Sequence, residues 1–222
     1  MTLAAPDSLP LHSRAAQLGL SRRSVLASAA GLAGMGLGAP AWAGRQAEEP
    51  LADSVRGALA AAVADGSPPK VQFDRVEDRL VYLKWLGAMS DRLKRRKSET
   101  QTRLEFLETL WYESKRAGLE PALVLGLVQV ESGFRKYAIS VAGARGYMQV
   151  MPFWARLIGD GDPAKLFHMQ TNMRFGCVIL RHYLDREKGD LFMGLGRYNG
   201  SRGRAEYPNA VMASRRLWLP PD

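Results

Sequence analysis

The chain has 222 residues, 46% of them hydrophobic, a single cysteine and a formal net charge of +9 at pH 7. The hydrophobic share excludes a chain that is disordered throughout, and the length suits one domain of ordinary size with an accessory segment. A lone cysteine excludes an intrachain disulfide, and the apolar neighbours of Cys177 predict a small buried side chain. His12, His168 and His182 are too scattered for a metal-ligand set, so we expect neither a metal nor a cofactor.

Positive charge is spread along the chain, with one dense block at Arg92–Lys97. Such a charge suits a polyanionic partner, which could be nucleic acid, anionic lipid or an acidic cell-wall polymer. Because no nucleic-acid motif of recognisable spacing accompanies the block, we expect no nucleic-acid partner. We interpret the block itself as a solvated helix face.

The first 43 residues have the pattern of an export leader. The run Ser21-Arg-Arg-Ser-Val-Leu26 precedes an uncharged segment rich in glycine and alanine, and Ala41-Trp42-Ala43 has the small-x-small form of a cleavage site. Paired arginines before a mildly apolar segment resemble a twin-arginine signal, which predicts a signal peptide over 1–43 and a periplasmic protein. An uncleaved leader that anchors the chain in a membrane is the alternative.

Two segments separate this leader from the body of the chain. Residues 44–70 are rich in alanine and end in Gly66-Ser-Pro-Pro69, so we interpret them as a flexible linker with one weak helix at most. Residues 71–97 predict an accessory amphipathic helix that packs on the body. Its apolar residues recur at helical spacing, at Val76, Leu80, Leu83, Leu86 and Leu93.

The body, residues 98–217, is predicted to be all-α because it contains no clear alternating strand pattern, and residues 218–222 form a tail. A first helix begins near Ser98, which forms a capping box with Gln101, and ends at Gly118.

Three further helices follow in the predicted body. The second, over 121–130, is apolar on nearly every side and is therefore predicted to be the centre of the core. A third helix runs over 171–188, and a short fourth one, capped by Asp190, leads to Tyr198-Asn199.

Glu131 follows the most apolar helix, and Gly133 is placed to end that helix in the left-handed conformation. A carboxyl there feels the negative end of the helix dipole and loses hydration among apolar neighbours, and both effects disfavour ionisation. Although a glutamate at a helix end is usually a surface residue, this one could hold its proton near neutral pH and donate it.

A glycine-rich loop follows Glu131 and combines permissive backbone with hydroxyl, amide and thioether groups. These residues are Ser140, Gly143, Gly146, Gln149 and Met151. Such a loop could approach a saccharide closely and bind its hydroxyl and acetamido groups, although the glycines also suit a simple tight turn. Tyr198 and Asn199 could supply a phenol and an amide from the opposite side, or form only a turn after a helix.

Together these motifs resemble the soluble lytic transglycosylase family, which is related in fold to goose-type lysozymes. The matching residues are Glu131-Ser132-x-Phe134, Ser140-x-x-Gly143-Ala-Arg-Gly146-x-Met148-Gln149-x-Met151-Pro152, Asn172 with Gly176, and Tyr198-Asn199. The resemblance covers about half the chain and implies a lysozyme-like all-α domain over 98–217. Tyr147 departs from the leucine that the family often has, which is expected to alter packing or a subsite wall. Tyr198-Asn-Gly-Ser201 replaces the commoner Tyr-Asn-Ala-Gly, which changes the loop but keeps the tyrosine and asparagine, so the chemistry is expected to survive both departures.

The resemblance implies that the substrate is the glycan strand of peptidoglycan and that Glu131 is the single acid and base. In the family, this residue protonates the oxygen between N-acetylmuramic acid and N-acetylglucosamine and then accepts the proton of the muramyl 6-hydroxyl as that oxygen closes onto C1. The product is a 1,6-anhydro sugar.

The resemblance also assigns the substrate-binding residues. Ser140 would contact or orient the acetamido group, and Gln149 and Met151 would line the sugar subsites. Tyr198 and Asn199 would lie near Glu131 and position it or the substrate.

The number of carboxylates fits this reaction independently. Ordinary glycosidases commonly use two carboxylates, about 5–5.5 Å apart when retaining or about 6.5–9.5 Å apart when inverting. No second acid lies between Glu131 and Asp160, and internal attack by a substrate hydroxyl needs none. Folding could still bring Asp160, Asp162, Asp185 or Glu206 close to Glu131.

Two other functions fit the same residues. The protein could be a muramidase, which hydrolyses the same bond with water, or a non-catalytic protein that binds peptidoglycan.

We expect the protein to be a monomer. Its further partners could be the proteins that build or remodel the cell wall, or a membrane surface. The sequence leaves open whether cleavage occurs at chain ends or internally, whether it serves wall turnover or a secretion apparatus, and what the helix over 71–97 does.

Overall fold

The computed structural model describes residues 46–64 and 71–220, and the regular structure of that part of the chain is helical. The helices are α1 (Asp53–Ala64), α2 (Val76–Leu93), α3 (Thr100–Arg116), α4 (Pro121–Ser132), α5 (Pro152–Ile158), a 3-10 helix (Pro163–Phe167), α6 (Met169–Arg186), α7 (Leu191–Asn199) and α8 (Glu206–Arg216). The all-α prediction is confirmed, and the likeness to goose-type lysozymes stays a prediction. The predicted signal peptide, 1–43, lies outside the described residues, in which no helix is long and apolar enough to cross a membrane.

Helix α4 is the centre of the core, as its sequence predicts. Every residue from Pro121 to Val128 is buried, and α4 packs more extensively on α8 than any other pair of helices do on each other in the described residues. The two helices approach closely at Gly126, where a Cβ would lie 2.6 Å from the backbone nitrogen of Arg215. The absence of a side chain at Gly126 therefore sets the distance between α4 and α8.

Helix α6 packs on α3, α7 and α1 and completes the core. Cys177 on this helix is fully buried and burial raises the pKa of its thiol, so the prediction of a small buried side chain is confirmed. A buried ion pair joins α6 to α3, with Nη2 of Arg174 2.7 Å from Oε1 of Glu113.

Helix α1 corrects the interpretation of residues 44–70 as a flexible linker. Leu59 and Val63, four positions apart, are buried, and α1 packs on α5 and α6. Nη2 of Arg116 also donates a 2.7 Å hydrogen bond to the carbonyl of Ala62. Alanine is the strongest helix former, and two large apolar residues on one face are enough to fix such a helix on a core.

Helix α2 is amphipathic, as predicted, but the predicted face is right only at Leu93, which is buried, and at Leu86, which is partly buried. Val76, Leu80 and Leu83 are exposed, and the buried residues of α2 are Tyr82, Trp85, Met89 and Leu93. Two aromatic rings decide the orientation, because Trp85 lies 4.6 Å and Tyr82 5.2 Å from the ring of Trp111 on α3. Aromatic side chains bury more apolar area than aliphatic ones, so they outweigh the leucines.

The Arg92–Lys97 block is solvated, as interpreted, because Arg92, Lys94, Arg95 and Arg96 are exposed, but α2 ends at Leu93, so most of the block lies beyond the helix. Nη1 of Arg92 donates to the carbonyls of Leu217 and Leu219, at 3.0 and 2.6 Å, and so holds the C-terminal segment.

Two later cations of the block lie over aromatic rings near the glycine-rich loop. The guanidinium of Arg96 is 5.5 Å from the ring centre of Phe134. Nζ of Lys97 is 4.6 Å from the ring centre of Tyr147 and donates a 2.7 Å hydrogen bond to its hydroxyl. The block thereby connects α2 to Phe134, which precedes the loop, and to Tyr147 within the loop.

Candidate active site

Glu131 lies in the last turn of α4, and its side chain is only 8% exposed. Gly133 ends the helix with φ 57°, in the left-handed conformation that its position predicts. Burial raises the pKa of Glu131 to about 8, and a hydrogen bond from Tyr207 lowers the pKa by a smaller amount. The acid is therefore mostly protonated at neutral pH, as the sequence predicts.

Tyr207, near the start of α8, is the nearest partner of this acid. Its buried hydroxyl donates a 2.5 Å hydrogen bond to Oε1 of Glu131. Oε2 of Glu131 is also buried, and no group in the described residues bonds to it. Because Oε1 is an acceptor in the bond from Tyr207, Oε2 is left to carry the proton.

Tyr207 lies outside the motifs that the sequence offers for the site. Tyr207 and Val211 lie four positions apart and are both fully buried on α8, so helical spacing could have predicted that the tyrosine faces the core. No local pattern, however, connects it to a glutamate 76 positions away in the chain.

Asn172 on α6 fixes the glycine-rich loop. Its Nδ2 donates to the carbonyls of Arg145 and Leu166, each at 2.8 Å, and its Oδ1 accepts from the backbone nitrogen of Met148 at 2.8 Å. Gly146 has φ 76°, and a Cβ at this position would overlap the Asn172 amide. Asn172 therefore holds the loop in one conformation.

The loop residues predicted to bind sugar also shape the loop itself. Nε2 of Gln149 donates to the carbonyls of Ala138 and Gly146, at 3.1 and 2.9 Å. Oγ of Ser140 is half-buried and accepts from the backbone nitrogen of Ala144 at 3.1 Å, so its own hydrogen remains available to a ligand.

Tyr198 joins the loop to the end of α7. Its buried hydroxyl donates a 2.7 Å hydrogen bond to the carbonyl of Met148. Burial and then the nearby Glu131 carboxylate raise the pKa of Tyr198, so the phenol lies close to the acid without bonding to it. The structure thus brings Glu131, Tyr198 and the loop together.

Two further predicted residues lie at the edges of this arrangement. Asn199 donates from Nδ2 to Oγ of Ser201 at 3.1 Å, and its Oδ1 is buried and has no partner in the described part of the chain. Met151 is half-buried and precedes α5.

Comparison with known proteins identifies this arrangement. Residues 109–214 match the family model of the Transglycosylase SLT domain, and the match includes Glu131, the loop, Tyr198 and Tyr207. The resemblance to the soluble lytic transglycosylase family is thereby confirmed for residues 109–214.

Individual relatives match parts of the SLT domain. The membrane-bound lytic murein transglycosylase C of Actinobacillus pleuropneumoniae serotype 5b is 39% identical over 84 residues, which cover 34% of this chain and 23% of that protein. The transglycosylase of Enterobacteria phage PRD1 is 34% identical over 121 residues, 51% of this chain and 44% of that protein. The chain therefore spans less than half the length of these two relatives.

A solved structure of an inactive mutant of the lytic transglycosylase Slt from Pseudomonas aeruginosa is 21% identical. It aligns over 64% of this chain and 27% of that one, with a TM-score of 0.41.

Tyr147, where this SLT domain departs from the family, is a packing residue. Its side chain is 1% exposed, its ring lies 4.9 Å from that of Phe106, and its hydroxyl accepts from Lys97. That it alters packing relative to the family stays a prediction. Lys97 provides the polar partner that a buried phenol needs.

A residue before α1 also supports the SLT domain, which the linker interpretation did not predict. Nε2 of Gln46 donates to the carbonyl of Tyr198, and Oε1 of Gln46 accepts from Nε1 of Trp154 on α5 at 2.9 Å. Gln46 is 8% exposed. It thereby ties α5 to the end of α7, beside the acid.

The four acids that could have joined Glu131 have other surroundings. Asp160 pairs with Lys165, Asp162 caps the 3-10 helix, Asp185 pairs with Arg181 at 2.6 Å, and Glu206 is exposed. In the described residues no carboxylate contributes to the pKa of Glu131. Burial raises this pKa, and the hydrogen bond from Tyr207 lowers it by less. No cluster of three metal-ligating side chains occurs in these residues either, and the expectation of no metal or cofactor stays a prediction.

Proposed function

We propose that this protein is a lytic transglycosylase that cleaves the bond between N-acetylmuramic acid and N-acetylglucosamine in peptidoglycan without water and leaves 1,6-anhydro ends. The proposal rests above all on Glu131, a buried acid whose pKa is raised to about 8 and whose Oε2 has no partner in the described residues. The match of residues 109–214 to the Transglycosylase SLT domain and the names of the two relatives support the same reaction.

In the first step Glu131 acts as an acid. Its proton, on Oε2, moves to the glycosidic oxygen as the bond from C1 of the muramyl residue to that oxygen breaks. An acid with a pKa near the working pH is well suited to such a transfer. The hydrogen bond from Tyr207 holds the carboxyl in place and stabilises the carboxylate that forms.

In the second step Glu131 acts as a base. The muramyl 6-hydroxyl attacks C1, its proton moves to the carboxylate, and a new bond from C1 to this oxygen closes the anhydro ring. Glu131 recovers the proton that it gave, so no water, metal or second carboxylate is consumed or required. The substrate acetamido group can stabilise the charge at C1 between the two steps.

The single acid supports ring closure over hydrolysis. A retaining or inverting hydrolase usually places a second carboxylate within about 10 Å of the first. No carboxylate of the described residues bonds to Glu131, and its pKa reflects burial and the hydrogen bond from Tyr207.

The loop and the end of α7 would bind the sugars. Ser140 has a hydroxyl hydrogen available for the acetamido group, and Met151 lies half-buried beside the loop. The side-chain amide of Gln149 donates both of its hydrogens to backbone carbonyls of the loop. Its side-chain oxygen is therefore the group that would accept a hydrogen bond from a sugar. Asn199 has a buried, unpartnered Oδ1 in the described residues, and Tyr198 holds the loop against the acid.

The same proposal includes where the protein acts. Peptidoglycan lies outside the cytoplasm, so we propose that residues 1–43 export the chain to the periplasm by the twin-arginine route, and that residues 98–217 act there as a monomeric catalytic domain. Residues 44–97 would brace that domain.

The masses of the products test the reaction. The purified protein should release muropeptides from peptidoglycan that are lighter by one water than the products of a muramidase. Reducible muramic ends would indicate hydrolysis instead. Glu131→Gln should abolish release and retain binding to peptidoglycan, whereas the exposed Glu48→Gln should leave release unchanged. Binding without release by the unaltered protein would favour a non-catalytic wall-binding protein.

A further inference from the structure

An exposed apolar face borders Ser140. Tyr137, Ile139 and Val141 are 69%, 65% and 100% exposed, whereas Ala138 between them is buried. Ile139 forms an isolated backbone bridge with Arg145, and Tyr137 and Val141 lie in the turns before and after it, so all three side chains are presented to solvent beside Ser140. Exposed apolar residues that cluster in this way commonly mark a binding surface.

This face is held rigidly to the glycine-rich loop. The backbone nitrogen of Gly146 donates a 2.9 Å hydrogen bond to the carbonyl of Ala138. The backbone nitrogen of Ser140 donates a 3.1 Å hydrogen bond to the carbonyl of Ala144. A ligand that binds to this face is therefore held at a fixed position relative to Ser140. Because the face is already ordered, binding costs little conformational entropy.

Cations and aromatic rings extend the same face. The ring of Tyr137 lies 6.0 Å from that of Phe167. Nζ of Lys136 is 5.2 Å from the ring centre of Tyr137, and the guanidinium of Arg145 is 5.5 Å from that of Phe167. Neither cation forms an ion pair with any described residue, so both charges are available to an anionic ligand. We call these residues the Tyr137 face: Lys136, Tyr137, Ile139, Val141, Arg145 and Phe167.

We propose that the Tyr137 face binds the acidic peptide stem carried by the muramyl residue of the substrate. This inference rests on the proposed function, because the stem begins on the sugar that Ser140 would contact. A neutral sugar needs no cation, whereas a short peptide with free carboxylates and small aliphatic side chains matches two unpaired cations beside Ile139 and Val141. The chain has no acidic residue between Glu131 and Asp160 that would repel it.

Kinetics on two forms of one substrate test the proposal. Glycan strands with peptide stems are compared with the same strands after an amidase has removed the stems. The double variant Lys136→Gln/Tyr137→Ala should raise KM for the stem-bearing strands about tenfold, as expected for the loss of one charged and one ring contact. Its kcat on those strands, and its KM for the stripped strands, should not change.

The control variant Leu80→Ala/Lys84→Gln removes a similar apolar group and a similar charge from the exposed side of α2. It should leave both KM values unchanged. An equal rise of KM on both substrates, or no rise on the stem-bearing strands, overturns the assignment of the face to the peptide. A charge reversal, Lys136→Glu, should raise KM for stem-bearing strands further.

A binding measurement separates this inference from the proposed reaction. A disaccharide with a tetrapeptide stem is titrated calorimetrically into Glu131→Gln, with and without the two face substitutions. Weaker binding with the face substitutions supports the assignment even if the unaltered protein releases no anhydro product. Equal binding of the two proteins contradicts it, whatever the reaction proves to be.

Discussion

The hydroxyl of Tyr207 and Oε1 of Glu131 are 2.5 Å apart, although the residues are 76 positions apart in the chain. Both side chains are buried, one on α8 and the other at the end of α4. The phenol opposes the effect of burial on the carboxyl, so this contact controls both the direction and the acidity of the group proposed to react.

Tyr207→Phe should raise the pKa of Glu131 above its value of about 8, because the hydrogen bond that lowers it is lost. The active form carries the proton, so kcat/KM of the unaltered protein should fall as pH rises through about 8. In the variant that fall should occur at higher pH, with a lower plateau because the carboxyl is no longer oriented. A pH profile of peptidoglycan cleavage measures both effects, and a fall at the same pH in both proteins contradicts the role of Tyr207.

Glu131 should make the folded protein less stable as pH rises. Its pKa is about 8 in the folded protein, against a reference value of 4.5, so between these values the folded state holds one more proton than the unfolded state. The free energy of unfolding then falls by about 1.4 kcal/mol per pH unit from this group, up to about 5 kcal/mol in total. Glu131→Gln lacks this contribution. Urea denaturation should show the stability of the variant gaining on the unaltered protein between pH 5 and pH 8, and a constant difference would be contrary to a raised pKa.

Gly126→Ala should destabilise the protein and impair the reaction together. The added Cβ would lie 2.6 Å from the backbone of Arg215, so α8, which carries Tyr207, must move. Overpacking of this kind costs about 1–3 kcal/mol. Gly87→Ala is the matched control, because its Cβ meets nothing within 4 Å and alanine should stabilise helix α2 by up to about 1 kcal/mol. Thermal unfolding and cleavage rates compare the two, and equal effects would mean that the approach of α4 and α8 is unimportant.

Gln46→Ala should loosen the end of α7. The substitution leaves the carbonyl of Tyr198 and Nε1 of Trp154 without their buried partner, at a cost of about 1–3 kcal/mol for each group. Because Tyr198 also holds Met148, kcat should fall as well. The exposed Glu48→Ala should change neither stability nor kcat. Full stability of the Gln46 variant would mean that this segment does not brace the site.

Local chemistry made much of α3 and α4 predictable from the sequence. Gly118 and Gly133 adopt the positive φ that their positions indicate, and Pro121 occupies the first turn of α4. The start of α3 was predicted to within a residue or two. The cap is Glu99, which accepts from the backbone nitrogens of Gln101 and Thr102, in place of the predicted Ser98.

What the sequence could not predict depends on contacts between distant segments. The buried face of α2 follows from the rings of Tyr82 and Trp85 meeting Trp111, and helical spacing alone suits the leucines equally well. The contacts that decide the roles of Gln46 and Tyr207 are made with segments more than 70 positions away in the chain. Neither residue belongs to a motif that periodicity would single out.

The contacts of Arg92, Arg96 and Lys97 fix the position of this positive charge without cancelling it. Their partners are backbone carbonyls and aromatic rings, which carry no net charge, and Arg92, Lys94, Arg95 and Arg96 are exposed. The densest run of positive charge in the chain therefore adds to the long-range attraction between the protein and an anionic polymer. The rate at which the protein encounters that polymer should fall as ionic strength rises.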